Sequence, residues 1–193
     1  MNYSSFQISI ILTFGTIYAI EVNIWLKYKD NTVFRFALSF AFGLGLNILS
    51  SDFPIISDKV ESFITSLNFS TLLTYLTTKH LNLLGIPALI VDNKIVIGEH
   101  STYFDYGCLA IRDIVMFAGF ILTYFGRFYK KILYILVGTM VLIVANVSRV
   151  TLIGIAMSYD YSLFGFVHDY GTILIVTGVT FLLWAIWSKK NNR

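Results

Sequence analysis

A thiol, a guanidinium and an imidazole stand near the ends of three separate apolar stretches of this 193-residue chain: Cys108, Arg149 and His168. Hydrocarbon disfavours the charged forms of all three, so their presence in such stretches asks for a task. Together they are the parts of an acyl-transfer site. A thiolate attacks a carbonyl carbon, and a neighbouring cation favours the thiolate form. His168 can return a proton to the leaving amine, while Arg149 can donate hydrogen bonds to the oxyanion of the tetrahedral intermediate. Asn146, three residues before Arg149 and on the same helical face, is placed to orient the guanidinium or a substrate carbonyl. Arg112 is a secondary candidate. On a shared helix it would face the same way as Cys108, one turn deeper, and could bind a substrate carboxylate or pair with Asp113 or Asp105.

These groups must be positioned by a membrane protein. The chain is 56% apolar, 17% aromatic and only 13% charged, with a mean hydropathy of +0.74, a composition that water does not keep in solution. Five stretches reach the length of roughly 20 apolar residues that a crossing needs: residues 6–25, 33–49, 106–125, 132–157 and 163–187. Helix is the default for them, because lipid offers no partner to backbone N–H and C=O groups. The runs do not alternate apolar with polar, which argues against a barrel. The first stretch lacks a basic leader and a small-residue cleavage site, so it is expected to remain as an uncleaved crossing.

Positive charge sets the orientation. Lys27, Lys29 and Arg35 follow the first stretch, Arg127, Lys130 and Lys131 fill the turn between the third and fourth, and Lys189, Lys190 and Arg193 close the sequence. All fall on one side if the amino terminus is outside and the carboxyl terminus cytoplasmic. The net charge of +3 thus reports topology and gives no reason to expect nucleic acid. Arg149 stands 17 residues beyond Ile132, about 26 Å up its helix and just beneath the outer surface. His168 lies five residues below Leu163, roughly 8 Å deep, and Cys108 enters at once on the way in. Short loops join these three stretches consecutively, which makes them neighbours.

The outer segment, residues 50–105, carries its own structure. Asp58-Lys59-Val60-Glu61 resembles a capping box, and residues 63–84 form a Thr/Leu-rich helix expected to lie in or dip into the interface. Residues 87–91 and 94–97 read as a hairpin turned at Asp92-Asn93. The expected architecture is therefore one all-α membrane domain over residues 1–193: two anchoring spans (1–49), an outer interfacial helix with a short hairpin (50–105), and three catalytic spans (106–187). His80, His100 and His168 are too scattered to predict a metal site, and no phosphate loop or cofactor motif is present in the sequence. Each candidate also has a structural alternative: a small core cysteine, an arginine snorkelling to headgroups, a hydrogen-bonded histidine. The same residues would then suit a noncatalytic assembly or transport component, or an inactive relative of an enzyme.

The motifs resemble those of the exosortase and archaeosortase family of multipass membrane cysteine peptidases or transpeptidases. Where family members show Cys-Ser-Gly-Ile/Leu, a polar residue and Ser, this chain has Cys108-Leu109-Ala110-Ile111-Arg112-Asp113. The family's Asn-x-x-Arg stands intact as Asn146-Val147-Ser148-Arg149, and its late histidine matches His168. Leu83-Leu84-Gly85-Ile86-Pro87 resembles the lead-in to the cysteine, and the similarity spans roughly residues 70–187. The resemblance implies cleavage of C-terminal sorting signals, each a short motif, a transmembrane helix and a basic tail, on exported proteins at the outer face of the membrane.

Overall fold

Asn31 supplies the cap of the first described helix. Its Oδ1 accepts hydrogen bonds from the backbone N–H groups of Val33 and Phe34 at 3.0 and 3.1 Å, satisfying two donors that a helix start leaves open. The computed structural model describes residues 31–52, 54–104, 108–159 and 163–191, so the expected first span, residues 6–25, lies outside the described residues. The described part runs α1 (Thr32–Asp52), α2 (Pro54–Ser66), α3 (Phe69–Leu83), β1 (Leu89–Val91), β2 (Lys94–Ile97), β3 (His100–Tyr103), α4 (Ile111–Thr123), α5 (Phe128–Tyr159), α6 (Leu163–Phe166), a π turn (Val167–Gly171) and α7 (Thr172–Asn191).

Two of these helices are long and apolar enough to cross a membrane, over Thr32–Ser50 and Phe128–Tyr159. With 32 residues, α5 is about 48 Å long, so it outreaches a hydrocarbon layer of roughly 30 Å and projects into the headgroups. Three expectations change. Within the stretch 106–125 the α-helix is Ile111–Thr123; its 13 residues measure about 20 Å, too short to cross unaided. The stretch 163–187 is interrupted by the π turn. The outer helix is two helices, because Asn68 adopts a left-handed conformation (φ 50, ψ 34) that asparagine tolerates and that ends helical propagation.

The hairpin grows to a three-stranded antiparallel sheet in the order β1-β2-β3. Val91 pairs with Lys94 across Asp92 (φ 49) and Asn93 (φ 60), the two positive φ angles a type I′ turn needs. Ile97 pairs with His100 across Gly98 (φ 59) and Glu99, with glycine first as in a II′ turn. Ile95 and Ile97 point into the core while their neighbours face out, the period-2 alternation of a half-buried strand. They join Leu73 and Leu81 of α3 and Val147 and Val150 of α5 in one apolar cluster.

A second cluster is aromatic. Phe36 packs edge-on to Phe120 at 5.1 Å, and Phe120 stacks on Trp184 of α7 at 4.8 Å. Around it the basic turn is tied down: Lys131 Nζ donates to the Leu122 carbonyl at 2.6 Å, and the Arg35 guanidinium lies 4.4 Å from the Phe125 ring centroid. Helices α1 and α4 approach through Gly43 and Gly119. A Cβ on Gly43 would sit 2.5 Å from the Met116 carbonyl oxygen and 3.2 Å from the Phe120 nitrogen, both backbone atoms that cannot turn aside. Gly43→Ala is therefore expected to destabilise by about 1–3 kcal/mol through forced separation of the helices. Gly45→Ala has open space and should gain roughly 0.5–1 kcal/mol from helix propensity. Thermal melts in detergent compare the two signs.

Candidate active site

The nucleophile candidate does not ride on a helix. Cys108 lies in a short helical turn before α4, half-buried against the Leu73–Val150 cluster, and Leu109 and Ala110 behind it are buried. Ala110 is the hinge between that turn and α4, at φ 56 and ψ 15. This left-handed conformation costs an L-residue with a Cβ roughly 1–2 kcal/mol, and glycine far less. The position is the one at which the resembling motif carries glycine, the residue that adopts this conformation at least cost. Because helix α4 begins only at Ile111, the expectation that Arg112 shares a helical face with Cys108 is corrected. Arg112 is exposed, and it is the half-buried Asp113 beside it that lies within electrostatic reach of Arg149.

Asn146 sits midway along α5 and is fully buried, at 0% exposure. Its Nδ2 donates to the Cys108 carbonyl oxygen at 2.8 Å, joining residues 38 positions apart. That bond fixes the amide's orientation, since the reverse would set two acceptors face to face. Its Oδ1 is buried with no hydrogen-bond partner among the described residues. Arg149 follows three residues later, about 60° around the helix from Asn146. It is half-buried, and its Nε is a buried donor without a partner among the described residues. Two unspent polar atoms at one stretch of α5 leave an acceptor and a donor open to a further group.

His168 occupies the π turn. Such one-turn widenings of a helix recur at functional sites. Its ring is half-buried and lies over Phe164, four residues earlier, with centroids 5.5 Å apart and planes 26° from parallel. The turn packs against α5 and α7, so the imidazole is carried on an element that touches the helix bearing Asn146 and Arg149. The structure thus puts Cys108 and Asn146 in direct contact, sets Arg149 one turn along the same helix, and packs the His168 turn on that helix.

Two groups escaped the sequence reading. Asp113 was weighed only as a partner for Arg112, although an acid in the first turn of an apolar helix is itself a signal. His80 of α3 hydrogen-bonds through Nδ1 to Thr151 Oγ1 at 3.1 Å, while the Thr151 hydroxyl donates to the Val147 carbonyl at 2.8 Å. The hydroxyl proton being committed, Nδ1 of His80 must carry the hydrogen. Thr151 is about 200° around α5 from Arg149, so His80 fastens α3 to the opposite side of the helix and stays outside the site.

Comparison with curated proteins and with solved structures gives no match. The family described as transmembrane exosortase (Exosortase_EpsH) matches residues 7–185, which takes in the two amino-terminal stretches that the motif resemblance alone had left out. A match over nearly the whole length, together with the Cys108 turn tied to the Asn-x-x-Arg helix, means that the chain belongs to the transmembrane exosortase family.

Proposed function

We propose that this protein is a membrane cysteine endopeptidase or transpeptidase that removes C-terminal sorting signals from exported proteins through a thioester acyl-enzyme. Membership of the exosortase family supports a sorting-related membrane transpeptidase. The single observation that carries the residue assignment is the 2.8 Å bond between Asn146 and the Cys108 backbone, which holds the thiol-bearing turn against the helix of Arg149. In this reading the Cys108 thiolate attacks the scissile carbonyl, and Arg149 stabilises the oxyanion. The C–N bond breaks as His168 gives a proton to the departing amine. Water or an acceptor amine then attacks the thioester, giving a proton to the now neutral His168 and releasing the sulfur as thiolate. Arg112, exposed at the start of α4, is assigned to substrate carboxylate or headgroup contact.

The substrates in this proposal carry a short motif, a transmembrane helix and a basic tail. The amino terminus is outside, the carboxyl terminus cytoplasmic and the site at the outer face, following the placement of basic residues along the sequence. Five crossings complete the topology, with the Cys108 turn and α4 spanning together.

The test is to co-express the chain with an exported protein of that tripartite ending and to measure intact masses. The expected result is a hydroxylamine-labile adduct on Cys108, whose mass equals the trimmed substrate minus water. Clean processing with no adduct on Cys108, under quenching that preserves thioesters, rejects the covalent route.

A further inference from the structure

We infer that Asn146 is a positioning residue: its side-chain amide clamps the Cys108 turn against the strain stored at Ala110. The inference rests on the cysteine-peptidase reading for its catalytic consequence, while the clamp itself is a matter of backbone geometry. Three observations converge. The Cys108 carbonyl is held by one side-chain donor, Asn146 Nδ2, from a fully buried residue on a long helix that is anchored on both of its sides. Two residues after Cys108, Ala110 sits at φ 56, a conformation an L-residue leaves unless its surroundings hold it. Ala110 also starts α4 without a side-chain cap, held on the helix side by the Ile114 N–H that donates to its carbonyl at 3.0 Å, so Asn146 holds the turn on the side of the thiol. A strained hinge on one side of the thiol and a buried donor on the other form a tensioned support. Released, the turn relaxes at Ala110 and the half-buried sulfur swings outward.

Cys108 is the sole cysteine, which makes thiol labelling a direct reporter of this turn. The experiment follows N-ethylmaleimide modification of the purified full chain in detergent at fixed pH. Asn146→Leu keeps the number and branching of side-chain heavy atoms, with more bulk, and removes both polar atoms. It is expected to label at least about 5-fold faster than wild type, because small loosening of a packed site is amplified in access. Ala110→Gly placed on top of Asn146→Leu removes the strain and should return the rate at least halfway to wild type on a logarithmic scale. Trp187→Leu controls for general loosening: Trp187 is buried near the end of α7, its ring 4.7 Å from that of Tyr134, which stands about 18 Å along α5 from Asn146, and its variant should label within twofold of wild type. An Asn146→Leu rate that is unchanged or slower overturns the inference. So does equal acceleration in Trp187→Leu, or no offset from Ala110→Gly. In a processing assay Asn146→Leu should lower kcat by about 10–100-fold with KM within twofold, the split expected when a nucleophile is misplaced and substrate contacts remain. If Cys108→Ala leaves processing intact, the peptidase reading fails while the labelling result still decides the clamp.

Discussion

Cys108→Ala is expected to leave the sorting-signal substrate at full length, with processing lowered by about 10³-fold or more. The magnitude follows from the chemistry: once the sulfur is gone no covalent intermediate forms, and only binding and oxyanion stabilisation remain. No second cysteine exists in the chain to substitute for it. The substitution is structurally mild. Asn146 holds the backbone carbonyl of residue 108, which alanine retains, and the thiol is only half-buried. A loss of activity with unchanged thermal stability therefore reports chemistry and not folding. Cys108→Ser should sit at nearly the same low level, since a hydroxyl is scarcely ionised near neutral pH and the site was built around a thiolate. The measurement is substrate size by immunoblot against time. Unchanged processing in Cys108→Ala removes the assignment outright.

Arg149→Ala is expected to lower kcat by about 10²–10³-fold, the usual consequence of deleting one oxyanion donor. The guanidinium is half-buried, its Nε lacks a partner among the described residues, and Asp113 is within electrostatic reach. An arginine in a crossing helix carries an insertion cost of roughly 2.5–3.5 kcal/mol at the bilayer centre and less near the surface, so its removal does not endanger insertion. Arg149→Lys separates charge from geometry. Lysine restores a point charge but not a planar fork of donors, and should recover no more than about a tenth of the lost rate. If Arg149 served only to reach headgroups by snorkelling, lysine would replace it fully. Equal activities of the Lys variant and wild type thus decide against the oxyanion role. Single-turnover rates measured at saturating substrate keep binding out of the comparison.

The membrane class and the helical character of the described apolar stretches were legible from residue types alone. Lipid makes this possible: it forces each crossing segment to satisfy its backbone internally, so α1 and α5 follow from local composition. The Asp92-Asn93 turn was legible for the same reason, a local φ preference. The β2–β3 turn was legible in principle, because Gly98-Glu99 follows an alternating strand, but the strand after it, His100–Tyr103, is polar at its start and does not resemble one.

What remained was decided by contacts between distant positions. That Cys108 lies in a turn and not on a helix depends on a left-handed alanine, which no propensity favours and which packing against α5 must hold. That Asp113 lies within electrostatic reach of Arg149 while Arg112 is exposed depends on the rotation of α4, set by burial of Phe117, Phe120 and Ile121. The amide of Asn146 found the Cys108 carbonyl across 38 residues, a pairing that sequence spacing cannot express. By itself, then, the sequence determined the membrane class and the helical state of the described apolar stretches, because those are local free energies of transfer and backbone pairing. Only the tertiary structure decided which buried polar atoms meet, because an unpaired polar atom gains most from a partner wherever the fold brings one within reach.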